Sequence, residues 1–401
     1  MKARCFRGRL LRGTVGAAEQ VAFAANHLEV CEMTWAFGRF RSDAKGKGKV
    51  PMETTYSFED VLTGATVACG YPYLQSHYVE KSAGAIPCES VFFPGCSFIN
   101  YGLPLVQAVY DTLRQAGSVQ GISLLCCGKI LSYEAGGDEL RAHFEQQFRG
   151  HLRAAGVKRL VAACPNCVAA LRAACAADPA TKDIQVVALP QELARLGYRI
   201  DPGVAQNVAA LGYPEGAAPD NVVFCPHDSC PDREMGEFAE GMRLLAENLP
   251  VVEAAHHGRK SVCCGSLPRA AGRFDAADKC AQLCGSESAA AGASAIITPC
   301  VSCSFQLTVA QHEVPVFHYL ELLYNWRIDW AHADLYMKLR FLFDDVPHKE
   351  GTQASNRAFV ALGGAADMAS VGNAADADTG DAAGAAAAEA EAGVASAMEN
   401  E

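Results

Sequence analysis

One cysteine order occurs twice in this chain. It runs Cys96, then Cys126-Cys127-Gly128, then Cys164-Pro-Asn-Cys167; and again Cys230, then Cys263-Cys264-Gly265, then Cys300-Val-Ser-Cys303. Most of these groups close a short apolar run: SVFFPG before Cys96, ISLL before Cys126, RLVAA before Cys164 and SAIITP before Cys300. Longer segments with helical periodicity lie between them, such as LPLVQAVYDTLRQAG and REMGEFAEGMRLLAENL. Short apolar runs alternating with helical patterns predict βαβ units and a parallel sheet, whose strands are buried on both faces and so lack alternation. Right-handed crossovers carry the C-terminal ends of such strands to one edge. The prediction is therefore an α/β chain of two tandem, similar βαβ-type domains with parallel sheets. They are placed at residues 88–200 and 218–348, with a closing helix at 329–345. A Pro- and Gly-bearing link joins them around 201–220.

On that skeleton each copy gathers five thiols at one crevice: Cys96, Cys126, Cys127, Cys164 and Cys167, then Cys230, Cys263, Cys264, Cys300 and Cys303. Five thiolates exceed the four ligands of a tetrahedral zinc. Adjacent cysteines are an awkward chelate for one ion and suit neighbouring irons better, which points to an iron–sulfur cluster. Cys225 competes with Cys230 as the first ligand of the second copy. Cys230 is preferred, because PHDSC matches the strand end FFPGC of the first copy. His227 and Asp228 precede that ligand; they are expected either to hydrogen-bond the turn or to deliver protons to a substrate sulfur. Lys129 and Arg233 flank cysteine groups and are candidate partners of a substrate anion. Cys5, Cys31, Cys69, Cys88, Cys175, Cys280 and Cys284 read as ordinary small residues.

The duplicated pattern resembles the cysteine-rich CCG domain proteins: heterodisulfide reductase subunits of the B and D types, and the iron–sulfur subunits of glycolate, lactate and glycerol-3-phosphate oxidising systems. The resemblance covers about 88–330. In both copies the gap from Cys-Cys to Cys-x-x-Cys has the family's length, 36 residues from Cys127 to Cys164 and 35 from Cys264 to Cys300. Cys230 and Cys263 are separated by 32, and Cys96 and Cys126 by 29, slightly short of the family range. The resemblance implies one [4Fe–4S] cluster per motif, cubane or non-cubane, and an iron–sulfur subunit that transfers electrons and reduces a disulfide. It also implies a hetero-oligomeric complex, cytoplasmic or peripheral to a membrane assembly. Two other readings stand beside it: a relay for a flavin-dependent 2-hydroxy-acid or glycerol-3-phosphate dehydrogenase, and a zinc-stabilised interaction protein, with zinc at one site.

Larger relatives carry an N-terminal ferredoxin domain. Cys5, Cys31, Cys69 and Cys88 lack its spacing, so a separate electron donor, a ferredoxin-type protein or a flavoprotein, is expected. No GxGxxG follows a first strand, so neither flavin nor NAD is indicated. The 18 cysteines among 401 residues, with no apolar signal core near the start, suit a reducing compartment. The net charge of -11 and the lack of a basic stripe argue against nucleic acid, and no apolar run is long enough to span a membrane. Residues 1–85 read as a weakly structured extension, with ten Lys and Arg against four acids in the first 50; Met52 opens its more regular part and is an alternative start. Residues 351–401 are mostly Ala, Gly, Asp and Glu, with eight acids, one Arg and almost no large apolar residue, and are expected to be disordered.

Overall fold

The structure is a computed structural model that describes residues 54–71, 76–80, 84–133, 137–270 and 273–328. The expected leader through residue 53, the helix at 329–345 and the acidic tail lie outside the described residues.

The first copy is built on four parallel strands, β4 (Ser90–Phe93), β5 (Gly121–Ile122), β6 (Arg159–Ala162) and β7 (Gln185–Ala188). Their order in the sheet is β5-β4-β6-β7. The second copy repeats it with β8 (Phe224–Pro226), β9 (Ala295–Thr298) and β10 (Val316–His318), in the order β10-β9-β8. Its second strand is reduced to Val251, which bridges in parallel to Phe224. Both copies thus follow the order second, first, third, fourth. The chain reverses direction across the sheet between the first and third strands, where α/β folds open a crevice at the carboxyl ends.

The helices follow the predicted alternation. The first copy has α1 (Cys96–Tyr101), α2 (Leu103–Gln115), α3 (Gly137–Ala155), α4 (Pro165–Ala176) and α5 (Leu189–Arg195). The second has α7 (Glu237–Leu245), α8 (Ser266–Ala270), α9 (Phe274–Ala290), α10 (Val301–Ala310) and α11 (Tyr319–Leu323). The connection between copies is more ordered than its Pro and Gly content suggested. It forms α6 (Pro202–Ala210), whose first turn is capped by Asp201 accepting from the Val204 N–H. Pro at the first helical position leaves no amide orphaned there, so this proline starts a helix.

Residues 54–80 differ from the weakly structured extension read from sequence. They form β1 (Thr54–Asp60), β2 (Ala65–Tyr71) and β3 (Ser76–Glu80), an antiparallel meander whose first strand pairs in parallel with β5. The first sheet is therefore mixed and seven-stranded. Tyr56, Phe58 and Asp60 alternate inward and are all buried. A carboxylate at the third inward position interrupts the apolar alternation by which such a strand is recognised.

The two copies share one apolar core, which runs from Phe92, Phe98 and Phe148 through Phe238 to Phe317 and Tyr319. Their cysteine-bearing edges face each other. Ser97 of α1 meets Ser302 of α10 at 3.0 Å, and the Tyr101 and Phe305 rings stack with centroids 5.3 Å apart. Further out, Arg172 pairs with Glu237 at 2.7 Å and the Tyr324 hydroxyl donates to Thr112.

Candidate metal centre

The CCG turns are built alike. Gly128 and Gly265 have φ of +75° and +93°, in the region that side-chain-bearing residues avoid. There each N–H donates to the first cysteine of its pair, Gly128 to Cys126 Sγ at 3.4 Å and Gly265 to Cys263 Sγ at 3.3 Å. A Cβ on Gly128 would lie 2.5 Å from the Phe144 ring, and one on Gly265 would lie 2.2 Å from the Ala277 carbonyl oxygen. The third letter of the motif is thus required twice over, by backbone conformation and by space.

The Cys-x-x-Cys groups start helices. Cys164 is the N-cap residue of α4 and Cys300 that of α10, with Cys167 and Cys303 in the first turn. The orphan amides of a helix N-terminus favour negative charge at this position.

All ten predicted thiols come together, and they form one continuous file. Cys96 contacts Cys126, Cys126 contacts Cys127, Cys127 contacts Cys167, and Cys167 contacts Cys164. Cys164 then meets Cys300 of the other copy. From Cys300 the file continues through Cys303, Cys264 and Cys263 to Cys230, the last step being 3.9 Å. Read outward from the Cys164–Cys300 contact, the order of equivalent cysteines is the same on both sides. The duplication therefore produces two five-thiol nests back to back.

Crowding divides the protons among these thiols. Hydrogen bonds from Cys126 and Cys167 hold Cys127 well below the ordinary thiol value against its burial. Cys230 and Cys264 do the same for Cys263, and Cys164 and Cys303 for Cys300. The partners move the other way. Cys126 and Cys167 are raised by donating to their neighbours and by burial, as are Cys303 and Cys230. Cys264 is raised chiefly by its bond to Cys263. Cys167 favours the Cys164 thiolate, but the bond to Cys300 and burial outweigh it. A file that keeps protons on most of its sulfurs gains by exchanging them for cations, since metal ligation requires thiolates.

Cys225 stands apart. It lies in β8, its thiol set against Ser288 and the Ala254 backbone. Cys69, Cys88, Cys175, Cys280 and Cys284 are buried; the Cys88 thiol bonds the Ser90 carbonyl, and Cys284 reaches the Cys263 carbonyl at 3.8 Å. Asp228 makes turn-holding contacts: its two oxygens take Arg243 at 2.7 and 2.9 Å and the Gly258 N–H at 2.6 Å. Burial opposes its ionisation, but Arg243 holds it below the usual carboxylate value. His227 points among the thiols; one ring nitrogen lies within 4.8 Å of both Cys264 and Cys303 sulfurs.

Two contributors escaped the sequence reading. His318, at the end of β10, is fully buried and burial pulls its ring down to about 4, against the opposing field of Cys300. Asp60 clamps the loop that leads to Cys126. One oxygen accepts from the Leu62 and Thr63 amides, the other from the Ser123 hydroxyl and the Leu124 amide at 2.6 Å. The Ser123 N–H still reaches the Phe92 carbonyl of β4, but the Leu124 amide is given to Asp60, and β5 ends at Ile122 rather than running through ISLL.

A cleft of about 350 Å³ opens between the copies, lined by Lys129, Arg141, Asn166, Ala169 and Ala170 of the first and by Cys230, Pro231 and Leu267 of the second, so that Cys230 is the thiol on its wall. Arg233, the other cation noted beside a cysteine group, donates to the Ser261 carbonyl at 2.6 Å. Among the described residues no helix is long and apolar enough to cross a membrane.

The donor set fits an iron–sulfur or other thiolate-bound metal centre: each nest offers five sulfurs at a helix-opened crevice, and a buried histidine nitrogen without a partner faces the second. Comparison with known proteins agrees. The family model described as the CCG cysteine-rich domain matches residues 90–172 and again 225–308. A comparison with curated proteins gave no match. Among solved structures, a glutamate racemase, isoform RacE1 from Bacillus anthracis, matches at 14% identity and a TM-score of 0.28, over 59% of this chain and 79% of its own. A protein from Yersinia pestis described as an Asp/Glu racemase matches at 14% and 0.26, over 61% of this chain and 98% of its own. Likeness at that level carries no argument about fold or chemistry. Two stretches of the chain thus match the CCG cysteine-rich domain, an arrangement consistent with iron–sulfur electron transfer.

Proposed function

We propose that this chain is the iron–sulfur subunit of a heterodisulfide-reductase-like oxidoreductase. Cys96, Cys126, Cys127, Cys164 and Cys167 hold one [4Fe–4S] cluster, and Cys230, Cys263, Cys264, Cys300 and Cys303 hold the other. The observation that carries the reading is the unbroken ten-sulfur file. Bound clusters of this kind supply one-electron steps at a potential tuned by ligands and burial. Reducing a disulfide takes two electrons and two protons, RSSR′ giving RSH and R′SH, so paired centres in contact suit it. Electrons come from a separate ferredoxin-type protein or flavoprotein.

The residues around the file have separable tasks. The helix N-termini at Cys164 and Cys300 favour the negative charge of a thiolate-bound centre. Asp60 and Asp228 fix the turns that carry Cys126 and Cys230. The cleft at Cys230 admits substrate beside Lys129 and Arg141, which favour a disulfide bearing carboxylates or similar anions.

Anaerobic purification of the full chain tests the proposal. The expected product is brown protein with about eight irons and as many sulfides. Adding 2,2′-dithiodiacetate should change its paramagnetic spectrum, and the uncharged 2-hydroxyethyl disulfide should do so only at higher concentration. Folded protein that takes up no iron on anaerobic reconstitution would overturn the proposal, and a spectrum indifferent to disulfides would reduce it to an electron relay. Colourless protein with tightly held zinc would favour an interaction module instead.

A further inference from the structure

The shared strand register allows the two nests to be compared position by position. Phe93 pairs with Ala162 at the end of β4. In the second copy Pro226 pairs with Ile297, and His227 follows it with its N–H on the Ile297 carbonyl. Phe93 therefore stands before Cys96 where His227 stands before Cys230. Phe93 is fully buried and meets Phe148 edge-on at 6.0 Å. His227 is 8% exposed, and its Nε2 has no hydrogen-bond partner.

A buried ring nitrogen left unpaired carries an uncompensated desolvation cost. At the corresponding place the first copy carries a ring with no such atom. Two sulfurs, Cys264 and Cys303, lie within reach of the His227 ring. Cys264 is the second cysteine of its pair and Cys303 the second of its Cys-x-x-Cys, so both belong to the nest. One nitrogen and two sulfurs within 4.8 Å of one another match the spacing of ligands around a single metal atom.

We infer that His227 is a nitrogen ligand of the second centre, binding one metal atom together with Cys264 and Cys303, so that the second nest is a mixed nitrogen–sulfur site and the first an all-sulfur one. The inference rests on the proposed reading of the nests as metal centres. An imidazole carries no charge where a thiolate carries one. Exchanging cysteine for histidine ligands raises the potential of an iron–sulfur centre. The second centre then accepts electrons from the first, and it is the one whose thiol, Cys230, lines the cleft.

The test uses the full-length protein, prepared anaerobically after growth on 15N-histidine. Iron, sulfide and zinc are counted on the same sample, and electron–nuclear double resonance reads nitrogen coupling to the paramagnetic centre. The expected result is one directly bound histidine nitrogen. It should vanish in His227→Phe, which installs the first nest's own residue and leaves the five thiolates, the coupling being read per metal atom retained. A loaded wild-type protein without histidine coupling overturns the inference while leaving the metal-centre reading intact. So does a coupling that survives in His227→Phe, which would belong to His318. Where the metal is zinc, absorption at the zinc edge asks the same question, one nitrogen scatterer present in the wild type and lost in the variant. Protein that binds no metal overturns both. The labelled wild type decides the matter even where the variant fails to fold.

Discussion

The two nests have the same sulfurs and different walls. Around the first stand Phe93, Ala188, Phe144 and Phe148, all apolar and buried. At the matching strand positions the second has His227 and His318. Counted back from Gly156 and Gly292, the left-handed glycines that follow α3 and α9, Phe144 and Phe148 correspond to Cys280 and Cys284. Gly95, whose Cβ would come within 2.8 Å of Cys167, becomes Ser229, with its hydroxyl 3.6 Å from Cys303. Duplication preserved the ligands and let the surroundings diverge. An apolar wall disfavours added charge and suits a relay held at fixed potential. A wall with imidazole and hydroxyl groups accommodates charge and protons, as a site meeting substrate must.

The largest effect should come from breaking one nest at a time. Cys127→Ser and Cys264→Ser are equivalent replacements, and each should remove about half of the bound iron. They should part on substrate. With a chemical reductant, Cys127→Ser keeps the disulfide-induced change in the paramagnetic spectrum, whereas Cys264→Ser loses it. Loss in both variants, read by the same spectra, would mean that the nests work as a single unit and the contrast between their walls has no functional meaning.

The turns are clamped differently, and this supports a second test. Asp60 reaches the first nest from the added meander, and Asp228 serves the second from within its own copy. Asp60→Ala leaves four buried donors without their acceptor, an expected loss of at least about 3 kcal/mol. Arg243→Met leaves the Asp228 carboxylate buried beside a single amide, an expected loss of about 3 kcal/mol. Urea unfolding measures both. Iron counts should show Asp60→Ala depleting the first centre and sparing the second; depletion of both would mean the meander supports the whole molecule.

Much of this was legible in the cysteines because ligand chemistry forces a residue type at each place. The CCG glycines, the strand-end positions and the repeat all follow from spacing. The meander was not legible, since Asp60 sits at an inward position where the pattern calls for an apolar residue. The Cys164–Cys300 contact was not legible either, because spacing within a copy says nothing of how two copies face each other. His318 ends an unremarkable apolar strand, and only the register that sets it beside Thr298 brings it to Cys300. Comparing the copies position by position would have found it, as the counterpart of Ala188.

The finest contrast lies in two buried glutamates near the last helix of each copy. Glu192 is 1% exposed, and burial alone would raise it. Its bonds to Arg195, Ser118 and Arg159 reverse that and hold it at about 2 against an ordinary 4.5. Its stabilisation is present above pH 4.5 and is lost as pH falls toward about 2. Glu321 is equally buried, but burial prevails over Arg327 and the Ile328 and His318 amides, and its carboxyl is raised. Its contribution has the opposite slope, complete below 4.5 and declining as pH rises through the shifted value. Glu192→Gln should then lose about 2 kcal/mol at pH 7, after discounting for screening through the exposed Arg195, and progressively less below pH 4.5. Glu321→Gln keeps an amide oxygen for its backbone donors and should change stability by less than about 1 kcal/mol at pH 7. Urea midpoints of both variants, each against wild type at pH 7 and at pH 4, read the difference. A deficit in Glu321→Gln that matches Glu192→Gln and shrinks in acid would show that both copies hold an ionised carboxylate there, and that the divergence between them is confined to the walls of the nests.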